Sequence, residues 1–117
     1  MNKDLEKIIL FGYIIKRLLN KSGSLGAKSI ELIDFISNDI VEKKSNTKEN
    51  RIKIAINGND LRNNYLKDNY SQTTVAGIKL SLLGSKILYQ NNKKELFYNF
   101  DEVNRIIGVY INAKWNW

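Results

Sequence analysis

The residues of this chain best suited to a chemical task are hydrogen-bond donors and cations, not nucleophiles. Lys93 and Lys94 occupy the polar turn NNKK (Asn91 to Lys94), and Gln72 and Thr73 open a run of helical spacing that begins at Ser71. Paired ammonium groups on a turn can neutralise phosphates. An amide or hydroxyl in the first turn of a helix can reach a base edge, or a phosphate drawn to the free backbone amides there. Capping and solvation compete for Gln72 and Thr73, as plain solubility does for the two lysines. Catalysis has no comparable set. The chain has no cysteine and no histidine, which excludes thiol chemistry, a disulfide framework and the usual zinc sites. Asp34, Asp39, Asp60, Asp68 and Asp101 are scattered, several of them at capping positions, and no glycine loop has the spacing of a phosphate cradle. The expectation is a protein that is not an enzyme, with no catalytic residue, metal or cofactor.

Composition agrees with a binding role. A length of 117 residues suits one domain, 1–117, and 43% hydrophobic with 26% charged residues is ordinary for a soluble globular chain. The net charge of +7 points to a polyanionic partner. Its placement says more. Residues 51–100 carry eight lysines and arginines against three acids, whereas residues 1–50 carry nine against seven. A lysine-rich solvated surface would give the same total, but the surplus coincides with the segment holding Gln72, Thr73, Lys93 and Lys94. No apolar run reaches bilayer length, and the stretch MNKDLEKIILFGYIIKRLL mixes acids with lysines and lacks a small-residue cleavage site. Neither a membrane span nor a signal peptide is read from it, and cytoplasmic residence is expected.

The elements that must position these groups follow from periodicity. Asn2 to Lys21 reads as a helix, apolar over more than half its circumference through Leu5, Ile8, Ile9, Phe11, Ile14, Ile15, Leu18 and Leu19. A surface helix needs an apolar stripe of only about 100°, so this one serves as a central core helix or as a subunit interface. After the break KSGSLG, a second helix spans Ala27 to about Lys43, with Ile30, Ile33, Ile36, Ile40 and Val41 in register and Leu32 and Phe35 widening the face. RIKIAI (Arg51 to Ile56) alternates as a strand. Asn59 or Asp60 caps a short helix to about Lys67, with Leu61 and Tyr65 inward. Ser71 caps the next helix, which buries Val75, Ile78 and Leu82 and ends where Gly84 can supply a left-handed residue. Ile87 to Gln90 and Glu95 to Phe100 are strand-like around the NNKK turn, with Phe97 read among the inward side chains. Asp101 then caps a last helix bearing Val103, Ile106, Ile107, Tyr110 and Ile111. The aromatics Tyr65, Tyr70, Tyr89, Phe97, Tyr98 and Phe100 suit core packing better than base stacking, though a single-strand or RNA binder using the hairpin aromatics is a third possibility.

The segment from Ile52 to Phe100 resembles winged helix-turn-helix DNA-binding domains. The likeness rests on Ser71, Thr74-Val75, Ile78, Leu82, Gly84 and Ile87, followed by the hairpin. In layout the chain is similar to small plasmid- and phage-encoded proteins of replication, partition, conjugative transfer or transcriptional repression. The resemblance implies an α+β, helix-rich fold with a helix-turn-helix at about 59–84 and a small antiparallel β-hairpin wing at about 87–100. It also implies outer helices that pack the core or a dimer.

Its implied partner is double-stranded DNA, bound without a small-molecule cofactor or membrane. Ser71, Gln72, Thr73 and Thr74 would lie on the recognition helix with Lys79 and Lys86 flanking it, Lys93 and Lys94 on the wing, and Arg62 and Lys67 on phosphates. The helix departs from the family pattern at Ala76, Gly77 and Leu80, where base-reading Arg or Asn is common. A homodimer is expected, with Ile8, Phe11, Ile15, Trp115 and Trp117 at the interface. The alternative reading is a winged-helix-like protein-interaction module, or an inhibitor of a nucleic-acid-binding partner.

Overall fold

Asn2 starts the first helix by accepting a hydrogen bond from the Asp4 amide on its side-chain oxygen (2.7 Å), and Gly23, at φ 79°, closes it on the Leu19 carbonyl. Only a residue without a Cβ enters that left-handed region at little cost. The computed structural model describes residues 2–55 and 70–115. Within them the chain runs α1 (Lys3–Ser22), α2 (Ala27–Ser45), β1 (Arg51–Ala55), α3 (Gln72–Gly84), β2 (Leu88–Gln90), β3 (Leu96–Asn99) and α4 (Phe100–Trp115). The class is α+β: four helices and a small antiparallel sheet among the described residues. The short helix expected around Leu61 and Tyr65 lies outside those residues.

The strands are ordered β1-β3-β2, so β3 is central and pairs antiparallel on both sides. Tyr98 faces Ile52 across one ladder and Leu88 across the other. Alternation along β3 sends Leu96 and Tyr98 into the core, followed by Phe100, all at most 3% exposed. Phe97 is therefore on the other face, half-buried against Tyr89 with ring centroids 6.2 Å apart. The inward placement expected for Phe97 is overturned by register: a residue between two inward side chains must point outward.

The buried side chains of four helices and two strands form one cluster. α1 supplies Leu10, Ile14 and Leu18, spaced i, i+4, i+8; α2 supplies Leu32, Ile33, Ile36, Ile40 and Val41; α4 supplies Val103, Ile106 and Ile107. Leu10, fully buried, is a core residue that the apolar excess of α1 concealed in the sequence. Ile30 and Phe35, counted with the apolar face of α2, are 40% and 51% exposed.

Two chain reversals use different residues from those expected. Gly84 is helical, and the left-handed residue is Lys86, φ 66°. The helix closes through Ser85, whose amide reaches the Ser81 carbonyl (3.0 Å) and whose hydroxyl donates to that of Leu82 (3.0 Å), so the turn falls two residues later. Ile87 and Leu88 can then both enter the core. At the last helix Asp101 is no cap. β3 runs directly into α4, and the Asn99 side chain accepts from the Glu102 amide at 3.4 Å.

Gly84→Ala is expected to keep or raise stability, by up to about 0.5 kcal/mol, since alanine outranks glycine within a helix. Its new Cβ would lie in ordinary contact with Arg17 Nη2, at 3.7 Å. Lys86→Gly is expected to add about 1 kcal/mol by removing a Cβ from the left-handed region. Urea unfolding checks both, and a loss beyond about 1 kcal/mol in Gly84→Ala would contradict this turn geometry.

Candidate nucleic-acid interface

The N-terminal end of α3 is built by Ser71. Its hydroxyl oxygen accepts from the Thr74 amide (3.1 Å) while its proton is donated to the Thr74 hydroxyl (3.0 Å). Ser71 and Thr74 are thus engaged in shaping the helix start, while Gln72 and Thr73 stand free to solvent beside them. Tyr70 anchors this end to α2. Its hydroxyl donates to Glu31 Oε1 at 2.7 Å, and the Lys28 ammonium lies 5.7 Å from its ring centre. Burial, then the Glu31 carboxylate, push the Tyr70 phenol up to about 12, and the hydrogen bond from Tyr70 is the largest cause holding Glu31 below the usual carboxylate range.

Along α3, Thr73, Ala76, Gly77, Leu80 and Gly84 fall at helical spacing on the face opposite Val75, Ile78 and Leu82, and all five are exposed. Leu80 is 61% exposed. Lys79, four residues after Val75, is half-buried at the flank of this stripe. Lys86 leaves the helix end exposed.

The hairpin turn is organised by Asn91. Its side-chain oxygen accepts from the amides of Lys93 (3.0 Å) and Glu95 (2.9 Å), and its backbone carbonyl accepts from the Lys94 amide (3.0 Å). Lys94 takes φ 64°. Lys93 and Lys94 are both exposed at this turn. The expectations for Arg62, Lys67 and Trp117, and for the side chain of Trp115, lie outside the described residues.

Electrostatics divides the molecule. Across α1 and α2 Lys3 and Lys7 are matched with Glu42 (3.4 and 3.0 Å) and Lys44 with Glu6 (2.7 Å), and within α2 Lys43 is matched with Asp39 (3.0 Å). Glu42 is held below the usual carboxylate range by its bonds from Lys7 and Lys3. From Lys79 through Lys94 the described cations, Lys79, Lys86, Lys93 and Lys94, have no ion-pair partner among the described residues.

The structure adds residues that the sequence reading passed over. Arg17 and Lys21 of α1 lie beside Leu80 and Gly84 of α3. Their i, i+4 spacing was visible, but nothing in the sequence says which helix they meet. Arg51 lies 4.2 Å from the centre of the Tyr89 ring on the outer face of the sheet.

Among the described residues no group of His, Cys, Asp or Glu is arranged to hold a metal, and no helix is long and apolar enough to cross a membrane. Compared with known protein families, curated proteins and solved structures, the chain matches none.

Tyr70 supplies a pH signature. Its folded-state pKa lies above the ordinary phenol value of about 10, so its contribution is complete below pH 10 and is lost as pH rises toward 12. Across that alkaline window the wild type is expected to lose more stability than Tyr70→Phe. Denaturant unfolding at the two ends of the window measures the difference, and parallel losses would contradict the Tyr70–Glu31 anchor.

Proposed function

We propose that this chain is a winged-helix protein that binds duplex DNA in a sequence-specific manner. In this reading α3 enters the major groove and the β2–β3 hairpin lays Lys93 and Lys94 on the flanking backbone or minor groove. The observation that carries it is the uncancelled charge: Lys79, Lys86, Lys93 and Lys94 have no ion-pair partner among the described residues, while Lys3, Lys7 and Lys44 are paired across α1 and α2. Support also comes from chain order, in which a capped helix leads at once into an antiparallel hairpin whose second strand pairs with β1. Gln72 and Thr73 supply the polar groups at the leading end of the helix. Ala76 and Gly77 let its backbone approach the groove wall, and Leu80 offers apolar contact to a thymine methyl. The setting that fits such a protein is a plasmid, phage or similar element.

Two copies join, in this proposal, through the outer face of α1. Ile8 is 66% exposed there, with Phe11 and Ile15 half-buried beside it. Leu5 and Leu19 are also exposed along α1, and contiguous exposed apolar surface marks interaction sites. Ile8→Glu is expected to turn a dimer into a monomer in sedimentation experiments, and an unchanged mass would remove this face from the interface.

Fluorescence anisotropy on labelled duplexes from DNA neighbouring the gene tests the main reading. Lys93→Ala/Lys94→Ala is expected to weaken every duplex and to make the salt slope shallower by about 2, one per phosphate contact. Gln72→Ala/Thr73→Ala is expected to cost about 1–3 kcal/mol on the preferred duplex only. Absence of duplex binding above a random control would overturn the proposal. The exposed Leu80 supports the second reading, a protein-interaction module, and recovery of a stable protein partner without any DNA shift would favour it.

A further inference from the structure

Two clefts meet at the C-terminal end of α3, and Arg17 lines both. The first, about 340 Å³, sets Arg17, Asn20 and Lys21 of α1 against Leu80, Ser81 and Gly84 of α3. The second, about 350 Å³, brings Lys86 and Arg105 to the same arginine, with Tyr13 and Glu102 in its wall. Gly84 keeps the ground between them free of a side chain, and a Cβ there would sit 3.7 Å from Arg17 Nη2. The Arg17 guanidinium stands 5.9 Å from the centre of the Tyr13 ring, a contact that orders a long side chain without neutralising it.

The charges are unevenly matched. Arg105 is held by Glu102, through Nε at 2.9 Å and through Nη2, and this pairing keeps the Glu102 carboxyl below its usual range. Arg17, Lys21 and Lys86 have no ion-pair partner among the described residues. The side-chain excess is positive and outweighs the carbonyl oxygens that end α3, and a guanidinium fork beside two ammonium groups fits a phosphate.

We infer that this double cleft binds a phosphate of the DNA backbone, making α1 a third contact element beside α3 and the hairpin; the inference rests on the duplex-binding reading. Leu80 and Gly84 belong to the exposed stripe of α3 and also line the first cleft. A duplex lying along that stripe therefore brings its flanking strand over Arg17 and Lys21. Lys86, at the exit of α3, closes the other side. The contact is to phosphate alone, so it sets register and affinity without reading sequence.

The test uses the full chain, labelled specific and random duplexes, and a salt series. Arg17→Gln/Lys21→Gln is expected to weaken both duplexes about tenfold and to flatten the slope of log affinity against log salt by about 1 to 2. Lys48→Gln, which removes a cation outside the clefts, is expected to leave the slope as it is. If the slope is unchanged in Arg17→Gln/Lys21→Gln while Lys93→Ala/Lys94→Ala weakens binding, the cleft assignment falls and the duplex reading survives. If the wild type binds no duplex, both fall. A lowered melting temperature in Arg17→Gln with an unchanged slope would assign the arginine to the carbonyls at the end of α3, and overturn the inference. Inorganic phosphate is the second probe, at constant ionic strength. NMR shifts at Arg17 and Gly84 on adding it, with no change of slope on DNA, would assign the clefts to a free anion instead.

Discussion

Tyr98 is the residue on which the arrangement depends. It lies at the middle of the central strand, 1% exposed, and its hydroxyl donates to Asp39 Oδ2 of α2 at 2.8 Å. Lys43 meets the same carboxylate oxygen at 3.0 Å and lies 5.6 Å from the centre of the Tyr98 ring. A phenol buried without a partner costs about 1–3 kcal/mol, so the strand is held in the register that delivers this hydroxyl to Asp39. Once Tyr98 points inward, the pleat sends Leu96 inward and Phe97 outward, and β1 and β2 take their register from β3. Because β3 passes directly into α4, the same contact sets where Val103, Ile106 and Ile107 enter the core.

The helices then decide which charges remain available. Exposed ion pairs contribute about 0–1 kcal/mol each, so the pairs between α1 and α2 do more to the electric field than to stability. Lys44 and Glu6, the most buried of them at 2.7 Å, cancel each other close to the core. Lys79, Lys86, Lys93 and Lys94, around α3 and the hairpin, have no such partner among the described residues. Fields of exposed charges fade over roughly 10 Å in physiological salt, so the local grouping of these lysines matters more to a polyanion than the net +7 of the chain.

α3 itself is unusual in what it exposes. Its solvent stripe is small or apolar from Ala76 to Gly84, with hydrogen-bonding side chains only at its leading end. Under the duplex-binding reading, contact is shared between the helix start, the hairpin tip and the flank of α1, and the middle of α3 contributes closeness of approach. That division suits a protein whose affinity comes mainly from phosphates and whose selectivity comes from few base edges and from DNA shape.

Local chemistry made much of this legible in the sequence. The helix cap at Ser71, the glycine- and serine-rich break after α1, the period of α2 and the polar turn before Glu95 all follow from residues within a few positions of one another, and short-range hydrogen bonding governs such features. Class, and the order of elements among the described residues, were legible for the same reason. The exchange of Gly84 for Lys86 at the end of α3 was not, because the turn is placed by the need to bury Ile87 and Leu88 together. Nor was the outward turn of Phe97, which is set by the pairing of β3 on both sides, or the burial of Leu10, which depends on which side of an almost wholly apolar helix meets the core. The company of Arg17 and Lys21 is likewise a tertiary fact. Their spacing on α1 is sequence, but the clefts they line exist only where α1 crosses the end of α3, a long-range packing that no local pattern encodes.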